Sequence, residues 1–354
     1  MGKYKSTSST AFSSASTQRL RDPRLEQAEM NSSQHSDNLT QEAQAFDLQI
    51  EERIANGHVP DLRLTNPCDY FYNNSWRRPE FVKLDFVEQF ELIRDAITRL
   101  TGRSAADVRV LEVGCGPGYL SLELARSGFE VVGLDLSSKC IEVAQQVAER
   151  DPWKGERGTL RFIAGDYFCH PDLHAESFDA IVFLGALYHF ADQRVIQQRA
   201  RDLLKPGGLI LVHEPVRDRV EKGSAAFALL LSTLLSLGGN FYKDVPLRDE
   251  PDAIAAEVER LYNSLRYESE DGSNLQSIND NEAGYAEMYP LLTEHFAQAH
   301  FEWRYAFFHE FIGGLRYGEA ANARVARFLK EMDRILVEAG TLPATEFFYV
   351  GRKN

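Results

Sequence analysis

Cysteine is scarce in this chain: Cys68, Cys115, Cys140 and Cys169 are scattered through 354 residues with no C-x-x-C pair. That excludes a disulfide framework and a spaced-cysteine zinc site, and it favours reduced thiols in a cytoplasmic setting. Long apolar runs are missing too. The longest candidate, Ala225–Leu237, contains Ser232 and Thr233 and is too short to span a bilayer, so stable membrane insertion is not expected. No Lys/Arg run occurs, and 53 acidic residues against 39 basic ones give a net charge of −14. That sign opposes a phosphate backbone, which argues against nucleic acid and for a small-molecule or protein partner. What is present is ordinary for a globular protein: 44% hydrophobic and 26% charged residues, enough for a sizeable core. The length suits one α/β domain of about 200–250 residues with additions.

Residues 1–45 are rich in Ser, Thr and Gln and lack apolar periodicity, so they are expected to form a disordered tail. Lys3, Lys5, Arg19, Arg21 and Arg24 against the single acid Asp22 also fit an organellar transit peptide, Gly2 to Ser6 fits the loose myristoylation pattern, and Met30 offers an alternative start. Residues 46–78 are expected to be a flap segment. Its aromatic and basic cluster, Tyr70 to Arg78, reads equally well as a lid over a ligand or as packed entry chain. A single domain is expected from 79 to 354.

That domain opens with an amphipathic helix over 79–100, in which Phe86, Phe90, Ile93, Ile97 and Leu100 recur at intervals of four and three. Short apolar runs then alternate with helical stretches: strands at 108–113, 130–134, 160–164, 178–184 and 209–213, helices at 118–127, 138–150 and 192–204. Such alternation predicts parallel βαβ units, hence an α/β, doubly wound sheet with helices on both faces. Two more strands, His300–Glu310 and Thr345–Gly351, flank a helix over 318–338 and complete a mostly parallel seven-stranded sheet. Residues 220–288 interrupt the alternation as a helical cap insertion. Within it, Ala225–Leu237 is apolar almost all round, which means a helix packed inside the cap or the wall of a pocket for a hydrophobic or amphipathic acceptor. In the latter case Leu230 and Leu234 line the pocket, and the polar loop Ser269–Asp280 borders its entrance.

The central motif is Val110-Leu-Glu-Val-Gly-Cys-Gly-Pro-Gly118, a strand that ends in a glycine loop and opens a helix. Gly114, Gly116 and Gly118 let a ligand approach backbone, and the helix terminus presents free N–H groups. Tyr119 stands where a dinucleotide fingerprint continues toward its third glycine, and Glu112 precedes the loop. A carboxylate there attracts a ligand ammonium and repels a pyrophosphate. Val131-Val-Gly-Leu-Asp-Leu-Ser137, Gly165-Asp-Tyr167, Phe178–Gly185 and Leu204-Lys-Pro-Gly-Gly-Leu-Ile-Leu211 follow in order.

Taken together, these motifs resemble those of the class I S-adenosylmethionine (SAM)-dependent methyltransferases of small-molecule type, and Glu346–Arg352 is similar to the family's antiparallel last strand. The resemblance implies a Rossmann-like methyltransferase fold with SAM as cofactor, bound by Glu112, Gly114, Cys115, Gly116, Gly118, Asp135, Leu136, Asp166, Tyr167 and Leu184. Asp135 is then the acid for the ribose hydroxyls and Asp166 the one for the adenine amino group. The family's Asn-Pro-Pro-Tyr sequence for base or amide nitrogens is replaced here by Leu184-Gly-Ala-Leu187. The implied activity is methyl transfer to a small acceptor, on oxygen ahead of nitrogen or carbon.

A protonated acceptor calls for a base, for which the catalytic candidates are His189 after the fourth strand and His213 and Glu214 at the end of the fifth. Each has a plainer alternative, as a histidine bonded to backbone or a helix-capping group. Two other functions stay open at this point: a non-catalytic SAM-binding or protein-interaction module, and an NAD-dependent oxidoreductase, because Asp135 also lies about 20 residues beyond the glycine turn.

Overall fold

The computed structural model describes residues 23–65, 82–266, 268, 274 and 276–354, with side chains from Asp37 onward. The Tyr70–Arg78 cluster, the myristoylation pattern, the transit-peptide stretch up to residue 22 and half of the Ser269–Asp280 loop lie outside the described residues. Seven strands form one sheet in the order β3-β2-β1-β4-β5-β7-β6. They are β1 (Arg109–Val113), β2 (Glu130–Asp135), β3 (Leu160–Ala164), β4 (Phe178–Leu184), β5 (Leu204–Pro215), β6 (Ala297–Trp303) and β7 (Glu346–Arg352). Only β7 runs antiparallel to its neighbours. The order reverses between β1 and β4, and that switch point opens a crevice beyond the strands' carboxyl ends.

Alternation along each strand assigns residues to two faces. On one face Val110, Val182, Leu211 and Phe348 pack with Ile93 and Ile97 of α2 (Phe86–Thr101) and with Leu120 and Leu124 of α3 (Tyr119–Arg126). On the other, Leu111, Ile181, Ile210 and Tyr349 pack with Ile196 of α5 (Gln193–Leu203) and with Met288 and Leu292 of α8 (Tyr285–His295). Each such aliphatic or aromatic side chain contributes about 1.5–3 kcal/mol on burial. The helix α4 (Ser138–Glu149) between β2 and β3 is capped by Ser137, whose hydroxyl accepts from the Cys140 N–H.

The cap contains α6 (Lys222–Leu237) and α7 (Pro251–Leu265). α6 buries Ala225, Ala228, Ser232 and Leu235 and packs with α9 (Phe308–Ile312) and α10 (Glu319–Glu338). Leu230, Leu234 and Leu237 are each 59% exposed, so the all-round apolar helix has one outward face and those leucines do not line a pocket.

Two stretches differ from the expectation. Pro23–Ala55 is a helix, α1, where a tail without structure was expected as far as 45. Its docking is largely polar. Glu42 accepts from Ser277 Oγ at 2.9 Å and Asn279 N–H at 3.0 Å, Asp47 accepts from Ser137 Oγ and from Lys139 N–H at 3.1 Å, and among the described side chains of the helix only Ile50 is a buried apolar anchor. An apolar period is therefore absent although the helix is held. Likewise, Phe308–Glu310 is helical instead of continuing β6, because Asp333 of α10 accepts from the N–H groups of Ala306, Phe307 and Phe308 at 2.8, 2.8 and 2.6 Å. That capping group comes from a distant part of the chain.

Candidate active site

A cavity of about 540 Å³ opens at the carboxyl ends of β1, β4 and β5. Its floor is the glycine loop Gly114–Pro117, with Glu112 and Leu184 beside it. Gly116 has φ +50° and open space where a Cβ would stand, so its backbone faces the cavity directly. Gly118 has φ +85°, and a Cβ there would meet Phe162 at 2.6 Å; this glycine is needed for close packing of loop on strand, rather than for ligand approach.

The loop is fastened to β2 by backbone. Gly114 and Cys115 N–H donate to the Leu134 carbonyl at 2.8 and 3.0 Å, and Gly116 N–H donates to Asp135 Oδ2 at 2.7 Å. Asp135 Oδ1 accepts from Ser137 N–H at 2.8 Å. Each carboxylate oxygen keeps a second acceptor site, so the residue can hold the loop and still receive ligand hydroxyls. Burial raises its pKa, partly offset by these two bonds. Glu112 is deeply buried, accepts from the Ser121 hydroxyl and is pushed up to about 8 by burial, with Asp135 adding to the rise. A ligand cation reverses that shift.

Leu136 is half-buried beside Asp135. The thiol of Cys115 is buried at the cavity wall, and burial raises its pKa. Asp166 stands at the turn after β3, where its Oδ1 accepts from Phe168 N–H at 2.9 Å; it caps that turn and is half-buried. Tyr167 lies in the core under the sheet's other face, its ring edge-on to Phe168, Phe183 and Phe190 and its hydroxyl without a hydrogen-bond partner among the described residues.

Pleating separates the three candidate bases. His213 shares the face of Leu211 and lines the cavity, whereas Glu214, the next residue, points to the opposite face. There Glu214 is fully buried and accepts from Ala186 and Leu187 N–H at 3.0 and 2.9 Å and from Tyr188 N–H at 3.4 Å. It anchors the turn after β4 and does not line the cavity. His189 also lies outside the lining, with Nδ1 3.0 Å from Glu42 Oε1 of α1 and its ring against Phe46.

The structure adds a polar wall that the sequence reading did not name. Facing the glycine loop are Asp85 and Gln89 at the start of α2, His309 and Glu310 of α9, Tyr305, and Glu346 of β7. His309 Nε2 stands 3.4 Å from Glu346 Oε1 and 3.7 Å from Asp85 Oδ1. Glu346 Oε2 is 3.9 Å from His213 Nε2, and neither of those atoms makes a hydrogen bond among the described residues. Glu112, His213 and Glu346 share one sheet face because their strand positions match those of Val110, Leu211 and Phe348. Strand parity was the available signal for Glu346; α9 had none, since its cap is Asp333.

Among the described residues, no group of three His, Cys, Asp or Glu side chains is arranged to hold a metal ion, and no helix is long and apolar enough to cross a membrane.

A Rossmann-like sheet with an antiparallel last strand, a glycine loop at its switch point and an acid ending β2 defines the class I SAM-dependent methyltransferases. A family model described as a methyltransferase domain matches residues 86–279, and the chain belongs to that family. This decides against the NAD-dependent oxidoreductase and makes SAM the cofactor. The chain is similar to the ubiquinone biosynthesis O-methyltransferase of Actinobacillus pleuropneumoniae serotype 5b (strain L20), 37% identical over 158 residues that cover 44% of this chain and 55% of the relative. A namesake from Ruegeria pomeroyi is 31% identical over 154 residues, covering 44% and 54%. The chain thus spans about half the length of the curated relatives it matches. A solved SAM-dependent methyltransferase from Methanosarcina mazei superposes with a TM-score of 0.41 at 19% identity, over 70% of this chain and 93% of that one.

Proposed function

We propose that this protein transfers a methyl group from SAM to a hydroxyl oxygen of a small acceptor. The observation that carries the reading is a cavity whose one side is the glycine loop with Glu112 and whose other side is the buried polar wall of His213, His309 and Glu346. When bound, the cofactor supplies a methyl group on a positively charged sulfur. The chain's task is then orientation of the acceptor's lone pair, an effect that reaches about 7–11 kcal/mol in favourable cases. The open backbone at Gly116 leaves room for the cofactor's amino-acid end, Glu112 takes its ammonium, and Asp135 takes the ribose hydroxyls. Asp166 and Leu136 border the adenine side, and Leu184 spaces cofactor from acceptor.

A small acceptor is supported by the size of the cavity and, against nucleic acid, by the net charge of −14. Methylation of oxygen ahead of nitrogen or carbon is supported by the relatives' O-methyltransferase names and by a wall able to accept a hydroxyl proton. Free thiols at Cys115, Cys140 and Cys169 support a reducing, cytoplasmic setting.

The test is calorimetric titration with SAM and S-adenosylhomocysteine, followed by mass spectrometry of hydroxyl acceptors incubated with SAM. Saturable binding and an O-methyl product are expected. Binding without transfer to any hydroxyl would instead favour a SAM-binding module with no such activity.

A further inference from the structure

We infer that His309 is the general base of this site and that Glu346 and Asp85 are the positioning residues that hold its ring. The assignment rests on the hydroxyl-acceptor reading above and deepens it. His309 lines the same cavity as the glycine loop, and its Nε2 lies between two carboxylates, 3.4 Å from Glu346 and 3.7 Å from Asp85. Those acids come from β7 and from the start of α2, and the ring is further fixed against Tyr305 at 4.9 Å. An imidazole in that setting takes a proton readily, because the imidazolium it becomes is already paired.

Burial disfavours the charged ring, but Glu346, Asp85, Glu310 and Asp333 outweigh it and hold the His309 pKa above the ordinary histidine value. Burial raises the Glu346 pKa and Asp85 adds to the rise, while His309, Arg217 and Arg304 oppose it and favour the carboxylate. Lys330 of α10 is engaged with Glu88 and the Leu84 carbonyl. His213, the other histidine in the cavity, is driven down to about 3 by burial, Arg304 and His309, so at neutral pH it orients the acceptor without taking its proton.

In the step, the neutral ring keeps Nε2–H toward the carboxylates, and the acceptor's O–H proton moves to His309 Nδ1 as an oxygen lone pair bonds the methyl carbon. The carbon–sulfur pair returns to sulfur, leaving a neutral thioether and an imidazolium beside Glu346. Water removes the proton after product leaves.

The experiment compares wild type with His309→Gln and Glu346→Gln, using catechol and the more acidic 4-nitrocatechol as acceptors and S-adenosylhomocysteine as binding probe. His309→Gln is expected to lose on the order of 10²-fold or more in kcat with catechol, less than about tenfold with 4-nitrocatechol, and to keep its affinity for S-adenosylhomocysteine. Glu346→Gln is expected to shift the rising limb of the kcat/KM pH profile to lower pH, and to shift the His309 ring titration, followed by NMR without any acceptor, in the same direction. Equal loss on both acceptors, no loss, or an unmoved His309 titration in Glu346→Gln would overturn the assignment while leaving O-methylation intact. Wild type that binds S-adenosylhomocysteine but methylates neither acceptor, nor any other hydroxyl compound screened, would overturn the hydroxyl reading, and this base with it.

Discussion

The two sides of the cavity are built by different means. The cofactor side is mainly one continuous stretch, Glu112 to Leu120, whose loop is joined to the end of β2 by hydrogen bonds of 2.7–3.0 Å. The acceptor side is side chains delivered from four separate places: Asp85, His213, His309 and Glu346. The first is fixed by local geometry and tolerates little variation in glycine placement. The second depends on tertiary packing and is where acceptor choice can vary without disturbing cofactor binding.

The cofactor side leans on a buried ion network behind α3, and breaking it gives the largest expected effect. Arg126 is bound in bidentate fashion by Asp61 at 2.6 and 2.9 Å and also meets Glu123 at 2.6 Å and Asp151 at 3.0 Å, all four side chains being nearly inaccessible to water. Its guanidinium also lies over Trp153 at 4.8 Å. Arg126→Met leaves the buried Asp61 without its cation, while Glu123 keeps Arg63 at 2.9 Å and Asp151 keeps Arg157 at 3.2 Å, and is expected to cost about 3–5 kcal/mol in chemical denaturation. A cost below about 1 kcal/mol would mean that residues 58–65 dock without this network.

Asp135 belongs to the cofactor side alone. Asp135→Ala removes the ribose acceptor and also the group that fastens the Gly116 N–H, and charge-assisted bonds of this kind are worth about 1.5–3 kcal/mol. Calorimetry should show S-adenosylhomocysteine binding weakened by roughly 10- to 100-fold, with the NMR titration of His309 unchanged. If both move together, the two sides are one unit and the contrast fails.

The same contrast explains what the sequence disclosed. The strand order, the glycine loop and the acids at strand ends follow from patterns within a few residues, so the sheet and the positions of Glu112, Gly116 and Asp135 were legible. His309 was not, because α9 exists through the Asp333 carboxylate, and α1 was not, because it docks through Glu42 and Asp47 instead of an apolar stripe. Glu214 and His213 are adjacent in sequence yet lie on opposite faces; parity within β5 would have told them apart once the cavity's face was known. His189 looked accessible after β4, but α1 stands beside it.

A smaller effect tests Glu112 through protons. Its pKa of about 8 in the unliganded protein means that the carboxyl is mostly protonated at pH 7. A cofactor ammonium favours the charged form, so binding at pH 7 should release up to about one proton. Calorimetry of S-adenosylhomocysteine binding in buffers of different ionisation enthalpy measures it, and Glu112→Gln should abolish it. Stability carries the matching sign: a folded pKa raised above the unfolded value gives stability that is full below about 4.5 and is lost as pH rises toward 8. His213 acts oppositely, losing stability as pH falls from about 6.5 toward 3. Release that persists in Glu112→Gln would place the proton on another group.

The smallest effect is expected where the cap turns away from both sides of the cavity. Leu230 and Leu234 are each 59% exposed, while Ser224 is the α6 residue that reaches the lining. Replacing both leucines by serine removes little buried surface, so unfolding free energy should change by less than about 0.5 kcal/mol per site. Cofactor affinity and KM for 4-nitrocatechol should stay within twofold or so, given that surface changes away from caps and cores rarely propagate. A KM that rises severalfold with cofactor affinity unchanged would show that α6 swings its apolar face inward when acceptor binds. Acceptor specificity would then reside in the cap, and the side-chain wall of Asp85, His309 and Glu346 would serve chemistry alone.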